Sequence, residues 1–217
     1  MPLAPQTPHT CSIYLVTPPL AAATAASFAE TLRGVFGAAP VASLRVRFEP
    51  GADAKAIVAP LLGAASSADC ALILDGDPRR AARFGADGVH VEGAGEALDE
   101  ALGSLKPERI VGVGALRMRD DAMTAGEKGA DYVMFGEPRG AAPSMALELL
   151  LERVGWWAEI FETPCVAYAE SIDAARRLAA AGADFVAVDG AVWAAPSPTD
   201  AVRTLHAALG GAPTVTP

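Results

Sequence analysis

The chain has 217 residues, 52% of them hydrophobic, 20% charged and 6% aromatic, with a formal net charge of −9. This supplies one large domain or two small ones with a sizeable core, and it is too apolar for a disordered chain. The acidic balance lacks the basic footprint of a nucleic-acid or anionic-lipid binder, so neither partner is expected; a local basic pocket for a phosphorylated small molecule is compatible with it.

Cys11, Cys70 and Cys165 are odd in number and lack CxxC spacing. That argues against a disulfide scaffold and a cysteine zinc site. The apolar runs are too short to span a bilayer. Met1–Cys11 has neither the basic start nor the apolar core of a signal peptide. The expectation is a soluble cytoplasmic protein with no membrane partner.

Short, β-rich apolar runs alternate with alanine-rich helical stretches. In chain order, strands are expected at Ser12–Thr17, Val41–Phe48, Cys70–Asp75 and Gly88–Glu92, followed by helices near 21–35, 52–65, 78–84 and 95–105. The second half repeats the order, with strands at Arg109–Gly114, Tyr132–Gly136, Pro164–Ala169 and Phe185–Asp189 and helices near 118–127, 144–158, 172–181 and 198–208. Several strands are almost continuously apolar, as parallel strands covered on both faces should be. Gly-Ala-Asp recurs at Gly85–Asp87, Gly129–Asp131 and Gly182–Asp184, each time between a helix and a strand. A glycine just past a helix can close it in the left-handed conformation.

Eight strand–helix units predict a single-domain α/β fold, a (β/α)8 TIM barrel over 12–208, with loose tails at 1–11 and 209–217. A doubly wound open sheet is the alternative. It favours a glycine-rich first turn, where this chain has Thr17-Pro18-Pro19.

Catalytic groups of such a barrel lie at the C-terminal strand ends. Alternation puts Ser43, Arg45 and Arg47 on one face, with both arginines in the barrel mouth. They either capture a phosphate or pyrophosphate, or pair with carboxylates on neighbouring strands. Strand three ends at Asp75, a cation-holding candidate, while Asp77 before Pro78 suits a helix cap. His90 and Glu92 share a face of strand four. His90 is a proton-transfer or metal group, or a hydrogen-bonded core residue. Glu137, Glu170 and Asp189 end strands six to eight. With Asp75 and Glu92 they form a ring that could bind a cation or answer the arginines, or they are simply polar loop positions. Trp156 and Trp157 are adjacent in one helix, so one of them is exposed or at a contact in a homo-oligomer.

Five segments are recognisable in order: Ser12–Thr17, Gly85–His90, Val111–Val113, Gly129–Val133 and Ala181–Asp184. Together they resemble the thiamin phosphate synthase family and its relative, the thiazole tautomerase, across about 12–208. The resemblance implies a (β/α)8 barrel and the joining of a pyrimidine pyrophosphate to a thiazole phosphate. In that reaction the pyrimidine–pyrophosphate bond ionises, the thiazole nitrogen attacks, and pyrophosphate leaves. It also implies Mg2+, with a protein that mainly positions substrates and stabilises the departing anion.

Carried over residue by residue, the resemblance gives Arg45 and Arg47 catalytic roles, and His90 joins them as a catalytic candidate from its place on strand four. Arg45 keeps the pyrophosphate-binding arginine, and Arg47 keeps the charge of the family's lysine. Ser43 stands where a glutamine holds the pyrimidine. The magnesium aspartates fall on Gly76 and Gly95, which leaves Asp75 and Glu92 as metal candidates. Gly114 replaces a serine that contacts the pyrophosphate. Arg139 stands near a lost lysine. Tyr168, Glu170 and Asp189 line the thiazole phosphate side, where the family has a glycine loop and a serine-type residue.

These departures remove magnesium ligands and bring carboxylates to the phosphate site. At 4 Å, two unit charges repel by about 4 kcal/mol at an effective dielectric of 20. The expected activity is thiamin phosphate synthase-like but weak, altered or lost. The alternatives are a non-catalytic ligand- or partner-binding relative with a closed acidic pocket, and an enzyme for a cationic or unphosphorylated substrate.

Overall fold

The computed structural model describes residues 10–137 and 145–210. Eight parallel strands close into a barrel in the order β1 to β8. They are β1 Ser12–Val16, β2 Ser43–Val46, β3 Ala71–Asp75, β4 Gly88–Glu92, β5 Ile110–Gly114, β6 Tyr132–Phe135, β7 Cys165–Tyr168 and β8 Phe185–Val188. The helices between them are α1 Ala22–Ala38, α2 Ala54–Ser66, α3 Pro78–Phe84, α4 Glu96–Leu105, α5 Arg119–Glu127, α6 Leu147–Ile160 and α7 Ile172–Ala180. A four-residue helix, α8 Gly190–Trp193, and then α9 Pro198–Ala208 follow β8.

The expected barrel is the observed one. Several expected strands overrun the ladder because pairing stops where the chain turns outward. The Arg47 N–H, for instance, donates to Thr17 Oγ1 instead of to a neighbouring strand. The expected cap is also found: Asp77 accepts from the N–H groups of Arg79 and Arg80, and Pro78 opens α3. α8 was not expected, since four residues carry no helical period.

The Gly-Ala-Asp repeat has a mechanical reason. Gly85, Gly129 and Gly182 take φ of 72°, 93° and 103°, turning the chain from helix to strand. Each aspartate then clamps the start of the preceding strand. Asp87 Oδ2 accepts from Leu72 N–H at 2.7 Å, Asp131 Oδ2 from Val111 N–H at 2.7 Å, and Asp184 Oδ2 from Cys165 N–H at 2.8 Å. The backbone N–H of each aspartate donates back to the carbonyl of the same residue. These clamps stitch β3 to β4, β5 to β6 and β7 to β8 at the N-terminal end of the barrel.

Two apolar layers result. The larger lies between strands and helices and includes Leu44, Leu72, Val113, Phe135, Ile57 and Trp157. Cys11 and Leu209, placed in the tails on sequence, pack against it. The smaller layer fills the barrel with Tyr14, Val16, Tyr132, Met134, Val166, Tyr168 and Ala187. Trp157 is buried and donates to the Thr163 carbonyl at 2.7 Å. Trp156 is only half-buried, and the Arg119 guanidinium covers its ring at 4.7 Å. No helix among the described residues is long and apolar enough to cross a membrane.

Candidate functional site

β2 alternates as expected, so Arg45 points into the barrel, where it is 2% exposed. Its Nε and Nη2 donate to Asp75 Oδ1 at 2.9 and 2.5 Å. Its Nη1 donates to Glu137 Oε1 at 2.6 Å. Burial acts to lower the Arg45 pKa, but the two carboxylates outweigh it and hold the guanidinium firmly charged. Burial likewise acts to raise the Glu137 pKa, but His90 and Arg45 outweigh it and hold that carboxyl down at about 2. The result is one buried cation shared by two carboxylates.

A hydroxyl chain crosses the barrel below this cluster. Tyr14 and Tyr132 share a hydrogen bond between their hydroxyls at 2.7 Å, and the Tyr132 hydroxyl lies 2.9 Å from His90 Nδ1. His90 is fully buried, and its Nε2 has no hydrogen-bond partner among the described residues. Glu137 Oε2 stands 3.7 Å from that nitrogen, beyond hydrogen-bond reach but close enough to attract a proton on it. The favoured arrangement therefore puts the His90 proton on Nε2, with Tyr132 donating to Nδ1. Burial, and then the charge of Arg45, lower the His90 pKa, so the ring is neutral. Gly114 makes room for this ring, because a Cβ there would lie 2.6 Å from His90 Nε2. A serine at 114 would collide with the histidine.

Arg47 forms the second cluster. Its Nε donates to the Thr17 carbonyl at 2.6 Å and its Nη2 to Asp189 Oδ2 at 3.0 Å. The Tyr168 hydroxyl donates to Asp189 Oδ1 at 2.6 Å. The Gly190 N–H also donates to Asp189 Oδ1, so this residue caps α8. Burial and the Asp189 carboxylate raise the Tyr168 pKa and keep its hydroxyl protonated.

The structure thus brings Arg45, Asp75, Glu137 and His90 together, and separately Arg47, Tyr168 and Asp189. Of the two readings of the arginines, both side chains take carboxylate partners. The remaining candidates stand apart. Ser43 begins β2 and lines a cavity of about 190 Å³ with Ile110, Asp131, Pro164 and Phe185, most of them at strand starts. That places it at the end of the barrel away from the arginines. Glu92 is exposed at the end of β4. Glu170 is exposed beside a shallow depression of about 150 Å³ bordered by Tyr168, Met145 and Ser171. Arg139 lies outside the described residues. Cys11, Cys70 and Cys165 are buried free thiols whose pKa values burial pushes up to about 12, so they are poor nucleophiles. Sequence reasoning missed Tyr14, Tyr132 and Thr17. Strand alternation carries a signal for the two tyrosines, since both occupy inward positions of apolar strands.

The thiamine monophosphate synthase family profile matches residues 13–192. The thiamine-phosphate synthase of Rhodospirillum centenum is 38% identical over 216 residues, covering 93% of this chain and 99% of its own. That of Hyphomonas neptunium is 33% identical over 210 residues, covering 90% and 92%. Among solved structures, the thiamine phosphate pyrophosphorylase of Pyrococcus furiosus superposes with a TM-score of 0.76 at 23% identity, covering 93% of this chain and 96% of its own, which bears on the fold. The matched profile and the near-full-length relatives make this chain a member of the thiamin phosphate synthase family.

Proposed function

We propose that this chain is a divergent thiamin phosphate synthase-type barrel that takes small ligands of the family's kind but couples a pyrimidine pyrophosphate to a thiazole phosphate weakly at most. The observation that carries this reading is Arg45, a buried guanidinium already held by Asp75 and Glu137. In the coupling, the bond between the pyrimidine methylene and pyrophosphate breaks, the thiazole nitrogen bonds to that carbon, and pyrophosphate departs with the electron pair. The leaving group needs cations aimed at it as its charge develops. Among the described residues, Arg45 and Arg47 are the arginines at this mouth, and each must first release a carboxylate. Breaking a buried pair is costly because it strands the partner charge. His90, neutral and fully buried, is poorly placed to exchange protons with solvent.

The family's reaction calls for Mg2+. Asp75 and Glu92 are the acidic candidates, yet Asp75 Oδ1 is taken up by Arg45 and Glu92 is exposed at the end of β4. Among the described residues, no three His, Cys, Asp or Glu side chains come together as a metal-holding group. The described residues do not fit the ion. A second reading, a non-catalytic binding relative with a closed acidic mouth, is favoured by the same internal pairing. Three unpaired buried thiols support a reducing, cytoplasmic setting.

The test is thiamin phosphate formation from the two phosphorylated precursors with magnesium, beside an Arg47→Ala control. The expected result is product barely above the enzyme-free blank. Sustained product that Arg47→Ala abolishes would overturn the proposal.

A further inference from the structure

We infer that a second copy of this chain docks on the face formed by α6 and the start of α5, as an antiparallel two-fold dimer. Among the described residues, three large apolar side chains are exposed: Met118 at 64%, Leu149 at 49% and Ile160 at 61%. All three belong to this face. On α6, Trp156 follows Leu149 by seven residues and Ile160 follows it by eleven. At about 100° per residue those spacings return to within about 20° of one line, so Leu149, the half-buried Trp156 and Ile160 form a stripe. The stripe is separate from the buried side of α6, which carries Leu150, Val154 and Trp157. Met118 joins it from α5. Its neighbour Arg119 lies over the Trp156 ring at 4.7 Å and donates to Glu152 at 2.8 Å. Arg153 in turn donates to the carbonyls of Leu116 and Arg117 at 3.2 and 3.0 Å, which ties the start of α5 to α6.

Charge selects the occupant. Each copy carries a net charge of −9, so two copies repel over most approaches. This face carries both signs, with Arg117, Arg119 and Arg153 beside Glu152 and Glu159. An apolar centre with a rim of both signs complements a copy of itself, and it lacks the one-sided charge that suits a nucleic acid or an anionic lipid surface. The spacing also sets the orientation. With the two α6 helices antiparallel and the axis between Arg153 and Trp156, Leu149 of each protomer meets Ile160 of the other. Each copy thus covers the two exposed ends of the other's stripe. Leu149 and Ile160 are about 16 Å apart along the helix. A face this short predicts a dimer that forms at about 1–100 µM, not an obligate one.

The experiment is sedimentation equilibrium of the full chain from about 1 to about 200 µM. The wild type is expected to pass from monomer to dimer within that range. Leu149→Lys and Ile160→Glu each change an exposed position, so circular dichroism should show the barrel intact in both. Each variant alone should weaken the dimer at least about tenfold. Mixed in equal amounts, the two should recover dimer. The antiparallel pair then sets the introduced lysine against the introduced glutamate at one contact and keeps a leucine against an isoleucine at the other. A wild type that stays monomeric throughout overturns the inference. So do single variants that associate as tightly as the wild type. A mixture that associates no better than either variant alone overturns it as well, because the two-fold register requires that rescue.

Discussion

The two ends of this barrel are built by different rules. At the N-terminal end one device is repeated: a glycine turns the chain, and an aspartate clamps an N–H at the start of the preceding strand, at Asp87, Asp131 and Asp184. At the C-terminal end no such device repeats among the described residues. Arg45 on β2 reaches Asp75 on the neighbouring β3 and Glu137 just past β6, while Arg47 reaches Asp189 after β8. The repeated end stitches neighbouring strands, and the other end gathers the buried ion pairs.

The largest effect separating the ends should come from Arg45→Ala. It strands Glu137 inside the barrel and should cost about 3–5 kcal/mol in urea unfolding. Adding Glu137→Gln and Asp75→Asn to Arg45→Met should recover most of that loss. If no recovery follows, the guanidinium matters for packing and not for charge. Next, Asp131→Ala or Asp184→Ala leaves a strand-start N–H without its acceptor and should cost about 1–3 kcal/mol each, with ligand binding untouched. Unequal losses among the three clamps would break the idea that they do one job.

Gly114→Ser tests the C-terminal end from the packing side. Its new Cβ would lie 2.6 Å from His90 Nε2, so about 1–3 kcal/mol should be lost and the imidazole resonances should shift. A stable Gly114→Ser protein with an unmoved His90 would contradict the described packing.

The smallest effect is the pH dependence. His90 has a folded pKa below its ordinary 6.5, so the unfolded chain binds its proton first. Its contribution is complete above about pH 6.5 and declines as pH falls. Glu137, ordinarily 4.5 and held at about 2, adds a second loss between those values. Urea midpoints should therefore be flat between about pH 6.5 and 8 and fall below that window, and His90→Gln should remove the first decline.

Much of this fold was legible. Apolar runs of strand length, alternation on β2 and β4, the Asp77–Pro78 helix start and the repeated Gly-Ala-Asp are all local patterns, and local backbone chemistry enforces them. The inward direction of Arg45 and His90 followed from the same period of two. The partners did not follow. Tyr14 and Tyr132 meet across 118 residues of chain, and Arg45 and Glu137 across 92, so only barrel closure decides which carboxylate answers which arginine. Ser43 shows the limit of alternation. It shares a face with Arg45 but begins the strand, and so faces the opposite end of the barrel.

The most direct measurement is calorimetric binding of inorganic pyrophosphate to the wild-type protein and to Glu137→Gln/Asp189→Asn. Arginines neutralised by their own carboxylates predict no wild-type binding at millimolar concentrations, and a gain of at least about tenfold in the double variant. Micromolar pyrophosphate binding by the wild type, unchanged in the double variant, would contradict that internal neutralisation.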